Sequence, residues 1–164
     1  MFYQFFSRLK FLIKSQNQHG LHSPFVYDFV TKGLYQKEKK SNSFDEYFEL
    51  KTLSKKHQKV LSKTVTYFEI DTIYFDSQKF IKSSKKEFKK LIINNIYVLS
   101  KLNFDNLSSK HIILINQIHK DKKTEKNWQN IIKNKDITVS IDLYYFGLIF
   151  FRKEQAKEHF IIRV

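Results

Sequence analysis

HIILINQIHKDKKTEKNWQNIIKNKDITVSIDLYYFGLIFF, residues 111–151, decides how this chain is read. His111–Ile115 is an apolar run that stops at Asn116 and Gln117, then continues through Ile118 and His119. That is the pattern of a fully buried strand ending at a functional edge. Asp121 or Thr124 then caps a helix whose apolar positions, Trp128, Ile131 and Ile132, recur at i, i+3 and i+4, and Asn134 closes it. Ile137, Val139, Ile141 and Leu143 alternate with Thr138, Ser140 and Asp142, the period of a half-exposed strand. Gly147 falls where a tight reversal is expected, and Leu148–Phe151 return as a second apolar strand. The order is strand, helix, strand, reversal, strand, the closing half of an α/β sheet of the kind that binds nucleotides.

The glycines argue the other way. There are three in 164 residues, Gly20, Gly33 and Gly147, each standing alone. They cannot build a G-x-G-x-x-G turn or a phosphate-cradling G-x-x-x-x-G-K-[ST] loop, both of which need glycines close together. The scaffold is suggested while its usual ligand loop is missing.

Two stretches carry a family resemblance. INQIHKDKKTEKNWQNIIKNKDITVSIDLYYFGLIFFRKEQAKEHFIIRV (residues 115–164) resembles the C-terminal end of a group of class I S-adenosylmethionine-dependent methyltransferases. In that group a strand ending in an acidic pair and I-H leads into such a helix and an antiparallel final hairpin. HGLHSPFVYDFVTKGLY (residues 19–35) resembles the H-G-[IL]-H-S-P-F-V segment that opens the same group. The resemblance covers the first fifth and the last third of the chain.

It implies an α/β fold: a reduced doubly wound, Rossmann-like methyltransferase sheet with a C-terminal antiparallel hairpin. It divides the chain into an N-terminal helical extension, residues 1–36, and a truncated α/β domain, residues 37–164, forming one globular unit. The family's E-L-G-x-x-x-G-type loop, which holds S-adenosylmethionine, has no counterpart, so no cofactor is expected and its binding residues are unassigned. Asn116 and Gln117 replace the acidic pair, while Ile118 and His119 match. Phe75-Asp76-Ser77-Gln78 echoes the D-G-N-H-like stretch of the family's fourth strand. Lys63–Lys86 can also be laid against the family's N-terminal region, in which case the cofactor-binding core is deleted; the short chain favours deletion. Methyl transfer needs a bound sulfonium facing a nucleophile, and usually a base to prepare it. The candidates are His119, which matches the motif, and Asp76. The resulting expectation is a catalytically inactive remnant acting as an interaction module. An active methyltransferase with a divergent or partner-completed cofactor site, and a basic non-specific nucleic-acid-binding protein, are the alternatives.

Composition bounds these readings. The chain suits one domain with a sizeable core. A hydrophobic content of 41% with 16% aromatics excludes wholesale disorder. The formal charge of +14 invites a polyanion partner, but arginine occurs only at positions 8, 152 and 163. Lysine is a hydrated point charge and lacks the fork that reads bases, so the expected nucleic-acid contact is weak and salt-dependent. Its densest cluster is Lys82, Lys85, Lys86, Lys89 and Lys90. With no cysteine there is no disulfide, thiolate nucleophile or cysteine-based zinc site, which fits a cytoplasmic protein. No metal site is expected, and no apolar run reaches the length of a membrane span.

Phe2, Phe5, Phe6, Leu9, Leu12 and Ile13 share one helical face, with Gln4, Ser7, Arg8 and Lys14 off it. Arg8, Lys10 and Lys14 interrupt the apolar stretch and argue against a signal peptide. Such a stripe is expected to pack on its own domain or on a second copy or other protein; a basic amphipathic helix also suits a membrane surface. Ser23-Pro24 starts a second helix, serine capping and proline at the first position. His19, His22 and Ser23 before it form a candidate anion-contact loop, the alternative being a loop tethered by hydrogen bonds. Ser43-x-x-Glu46 and Ser84-x-x-Glu87 match capping boxes. They predict helices running to about residue 62 and from about 84 to 102, the second carrying Phe88, Leu91, Ile92, Ile96, Leu99 and Leu102. Val65–Phe75 between them reads as one bulged strand or two short ones.

Overall fold

The computed structural model describes residues 2–37, 47–82, 89–99, 104 and 107–164. In chain order its elements are α1 (Phe2–Lys14), α2 (Pro24–Asp28), α3 (Lys55–Phe68), β1 (Thr72–Tyr74), α4 (Ser77–Lys82), β2 (Lys90–Asn94), α5 (Ile96–Leu99), β3 (His111–Asn116), α6 (Lys122–Ile131), β4 (Val139–Asp142), β5 (Phe146–Phe150) and β6 (Glu158–Ile161). By internal contacts the chain forms two compact units, Met1–Gln16 with Asp71–Arg163, and Asn17–Ile70 with Val164.

The first unit is α/β, built on a mixed six-stranded sheet in the order β1-β2-β3-β5-β4-β6. β1, β2 and β3 are parallel, β5 is antiparallel to both β3 and β4, and β6 is parallel to β4. Within this sheet β5 therefore runs against the other five strands, whose carboxyl ends share one edge. The short connection from β4 to β5 forces antiparallel pairing, since parallel neighbours need a longer crossover. The predicted order of residues 111–151 is found. Asp121 is the helix cap: its Oδ1 accepts from the Thr124 amide at 2.8 Å and the Thr124 hydroxyl at 3.0 Å.

β4 is buried along its whole length rather than half exposed, and its edges are paired with β5 and β6. Its polar positions, Ser140 and Asp142, are 2% exposed and hydrogen-bond to His159 and to the buried His119, respectively. The predicted helix over 84–102 gives way to β2. Leu91–Ile93 is a short apolar run that fits a strand buried on both faces as well as it fits a helix face, and pairing with β1 and β3 settles it. α5 supplies only a single turn around Ile96. Residues 43–46 and 84–87, the two capping boxes, lie outside the described residues, as do Lys85 and Lys86.

In the second unit α2 starts as expected, with Ser23 Oγ accepting from the Val26 amide at 3.4 Å and Pro24 at the first position. It passes directly into a π-helical turn, Phe29–Leu34. α3 is capped by Ser54, whose Oγ takes the His57 amide at 3.3 Å, and it ends at Glu69, which adopts a left-handed φ of 50°. Val65–Phe68 is thus helical, and only Thr72–Tyr74 of the predicted strand forms one. Tyr67 and Phe68 are needed on α3 because both pack on Phe29, at ring-centre distances of 5.3 and 4.7 Å.

Gly147 does not make the reversal. It lies inside β5, paired with Ile115 and Asp142, while Tyr144 takes the left-handed conformation in the turn, with φ 70°. The glycine is required by α6: a Cβ there would stand 2.8 Å from two ring atoms of Trp128 and 3.0 Å from Ile118. Trp128 is fully buried against this bare backbone. Gly147→Ala is expected to destabilise the protein by about 1–3 kcal/mol, the usual range for overpacking a core. Thermal unfolding measures this; an unchanged midpoint refutes the close-approach account.

Candidate functional site

The site lies at the carboxyl edge of the sheet, where two connections meet. After β3, Gln117 turns into the left-handed region at φ 56°, and its amide donates to the Tyr145 carbonyl at 2.6 Å. The turn sends Ile118 into the core and swings His119 over the end of β4. Across from it, Asp142 Oδ1 accepts from the Tyr144 amide at 2.7 Å, fixing the second left-handed residue. Non-glycine residues rarely hold such angles unless the surroundings over-determine them.

His119 is 8% exposed and sits between two carboxylates. Its Nε2 is 2.7 Å from Asp142 Oδ2 and its Nδ1 is 3.2 Å from Glu125 Oε2. The Tyr144 ring stacks on it, 5.1 Å between centres and 12° from parallel, and Phe11 approaches its edge at 6.3 Å. Burial works against a charge on the ring. The hydrogen bond and attraction of Asp142, and then those of Glu125, outweigh it and hold the His119 pKa above the ordinary histidine value. A charged imidazole donates from both nitrogens, which is what the two carboxylates accept.

Glu125 is the hub. It lies in the first turn of α6, where the helix dipole favours a negative charge. Besides His119 it receives the Tyr3 hydroxyl, the Ser7 hydroxyl at 3.4 Å and the Lys10 ammonium at 3.6 Å. Burial raises its pKa, but the Tyr3 hydrogen bond, then His119, then Lys10, reverse this and leave it below the ordinary value. Tyr3 is pushed well above the ordinary phenol value, by burial first and then by Glu125, so it stays a donor. α1 is further tied by Tyr144 Oη donating to the Gln4 carbonyl at 2.9 Å, with Arg8 over the Tyr144 ring at 5.7 Å. Clefts flank the histidine on either side. One, of about 260 Å³, is bounded by Lys10, Lys14, Gln129 and Asp142. The other, of about 510 Å³, is bounded by Arg8, Gln117, Lys120 and Tyr145.

Of the residues singled out from sequence, His119 is at this centre and Asp76 is not. Asp76 follows β1, separated from β3 by β2, and its Oδ1 caps α4 by accepting from the Gln78 and Lys79 amides at 2.7 and 3.1 Å. Asn116 ends β3 with a buried Oδ1 that has no hydrogen-bond partner among the described residues. His19 lies in the single turn Gln18–Gly20, its amide donating to Asn17; His22 is exposed, and the Ser23 oxygen is used as the cap of α2. The expected lysine cluster is not one helical surface. Lys90 is only 3% exposed, because it opens β2 between β1 and β3, so it leaves the candidate polyanion patch. Lys89 is exposed and its amide binds Asp71 at 2.7 Å; Lys82 closes α4. Glu125, Asp142, Tyr3 and Tyr144 were not singled out from sequence. For Asp142 the alternation with Ile141 and Leu143 pointed outward, and only the burial of β4 along its whole length shows that this acid needs a partner.

Asp142 and Glu125 address opposite ring nitrogens and so do not converge on one point. Among the described residues no group of three or more His, Cys, Asp or Glu side chains is arranged to hold a metal ion. Among them, too, no helix is long and apolar enough to cross a membrane. No family model, no curated protein and no solved structure matches the chain. Its class is thus defined by its own architecture: an α/β protein with a mixed sheet and a charge-paired histidine at the carboxyl edge.

Two outcomes follow from this network. Because the folded His119 pKa is raised from 6.5, its contribution to stability is fully present below 6.5 and is lost as pH rises through the raised value. Glu125 is lowered from 4.5, so its contribution is present above 4.5 and is lost as pH falls through the lowered value. Thermal midpoints are expected to be highest between these limits, and His119→Gln is expected to abolish the alkaline decline. An identical alkaline limb in the variant contradicts the assignment. Glu125→Ala is expected to cost about 1–3 kcal/mol and to speed amide exchange in residues 2–14 while β3 and β5 stay protected; uniform loss of protection argues against Glu125 as the anchor of α1.

Proposed function

We propose that this chain is a methyltransferase-like α/β protein that has lost turnover and serves as an interaction module. The observation that carries the reading is the double engagement of His119. A general base needs an unprotonated nitrogen facing its substrate, whereas here both nitrogens face carboxylates, which favour the protonated ring and leave neither nitrogen open to a substrate. Tyr144 and Phe11 cover the ring as well. The residue that the family resemblance offers as a base therefore acts as a charged clamp for α1.

The residues also do not fit S-adenosylmethionine. The connections leaving the carboxyl ends of β1, β2 and β3 contain no glycine, and the first amides of α4 are taken by Asp76 instead of being offered to a ligand. The resemblance of residues 19–35 and 115–164 supports descent from the methyltransferase group, and the antiparallel pairing of β4 with β5 agrees with the hairpin it implies. The 510 Å³ cleft beside His119 is the place where a residual ligand site is to be sought.

Isothermal titration of nucleic-acid-free protein with S-adenosylmethionine and S-adenosylhomocysteine tests the reading. No saturable heat up to millimolar ligand is expected, for wild type and for His119→Gln alike. Saturable micromolar binding, weakened by Tyr144→Ala, overturns the loss of turnover and restores the reading as an active enzyme.

A further inference from the structure

The apolar face of α1 points away from the protein. Phe2 is 83% exposed, Ile13 77%, Phe5 67% and Phe6 62%, with Leu9 and Leu12 beside them at 48% and 39%. At 3.6 residues per turn these six side chains fill one arc of roughly 120°. Arg8 borders the arc on one side and Lys10 on the other, Lys14 lies further round toward the inward face, and all three are exposed. The inward face carries Tyr3, Ser7 and Phe11, with Tyr3 and Ser7 bonded to Glu125. The helix is thus fastened by its polar side, and rotating it to bury the phenylalanines would break the Glu125 and Tyr144 contacts. We infer that α1 is a docking surface for an anionic lipid bilayer, lying in the plane of the headgroups with Phe2, Phe5, Phe6, Leu9 and Ile13 among the acyl chains.

Charge selects this occupant. α1 holds three basic residues and no acidic one. A second copy meeting the same face about a two-fold axis would bring a second set of the same cations to the contact with no α1 carboxylate to answer them, on a chain whose formal charge is already +14. Phospholipid phosphates and serine headgroups instead neutralise the flanking cations, while the apolar arc leaves water. A helix of 13 residues is about 20 Å long, enough to lie along a bilayer surface. The proposal names the partner of the interaction module and rests on that reading.

The test is sedimentation of the full chain with vesicles of phosphatidylcholine alone and of phosphatidylcholine with phosphatidylserine. Binding is expected to the mixed vesicles, about tenfold weaker to the neutral ones, and weakened again by salt. Phe2→Ser with Ile13→Ser is expected to lower it at least about tenfold, with the circular dichroism spectrum and thermal midpoint unchanged because both side chains are exposed. Lys14→Glu is expected to weaken the mixed-vesicle binding selectively. Equal binding by the double variant and wild type overturns the proposal, since charge alone would then suffice. Absence of vesicle binding overturns it too, as does a concentration-dependent dimer abolished by the double variant in a chain that ignores vesicles. The titration with S-adenosylmethionine separates the two readings. Vesicle binding beside saturable cofactor binding leaves the lipid surface standing and removes the loss of turnover. Silent titration without vesicle binding does the reverse.

Discussion

An imidazole hydrogen-bonded between a buried and a half-buried carboxylate is the interaction on which the working edge of this protein depends. An unpaired charge at the burial of His119 or Asp142 would be prohibitive. Together, with Glu125 on the other nitrogen, the groups satisfy one another and fix the β3–α6 connection against the end of β4. Such a network confers little net stability compared with a well-packed apolar core, yet losing one member strands the others. Its effect is positional. It dictates where Tyr144 stacks, where Glu125 points, and therefore where α1 can lie.

The orientation of α1 follows from that network rather than from hydrophobicity. A helix with a broad apolar face normally buries it. Here Tyr3, Ser7 and Lys10 find a carboxylate waiting at the start of α6, and Phe11 finds the His119 and Tyr144 rings. The polar side is fastened, and the phenylalanine-rich side is left outward with cations on both borders. One charged clamp thereby accounts for two properties that otherwise look unrelated: a histidine removed from base chemistry, and a large apolar surface held out for a partner.

The sheet supplies the frame for this arrangement. Inserting β5 between β3 and β4 brings the carboxyl ends of β3 and β4 to the same edge, two strand spacings apart, so that a residue leaving one can reach over the end of the other. Close packing beneath the edge comes from α6, whose Trp128 lies on the bare backbone of Gly147. A chain with so few glycines has used one to seat a tryptophan, not to cradle a phosphate. Gln117 and Tyr144 make the tight turns around the site with L side chains in left-handed conformations, held there by the Tyr145 carbonyl and the Asp142 carboxylate.

The sequence by itself determined the local elements of residues 111–151: the apolar strand to Ile115, a helix around Trp128 capped by Asp121 or Thr124, and the returning hairpin. It also determined that α1 is amphipathic and that His119 belongs to a strand-end turn. These features are written in nearest-neighbour chemistry, the spacing of apolar residues and the side chains able to cap an amide. Tertiary structure alone decided that Leu91–Ile93 is a strand, that β4 is buried on both faces, that Gly147 serves Trp128, and that Asp142 and Glu125 share His119. It also decided which face of α1 turns inward. Periodicity fixes how residues are arranged around one element, but the side on which a partner lies depends on contacts from distant positions. For α1 that partner is a half-buried carboxylate more than a hundred residues away, which holds Tyr3, Ser7 and Lys10 on the inward side.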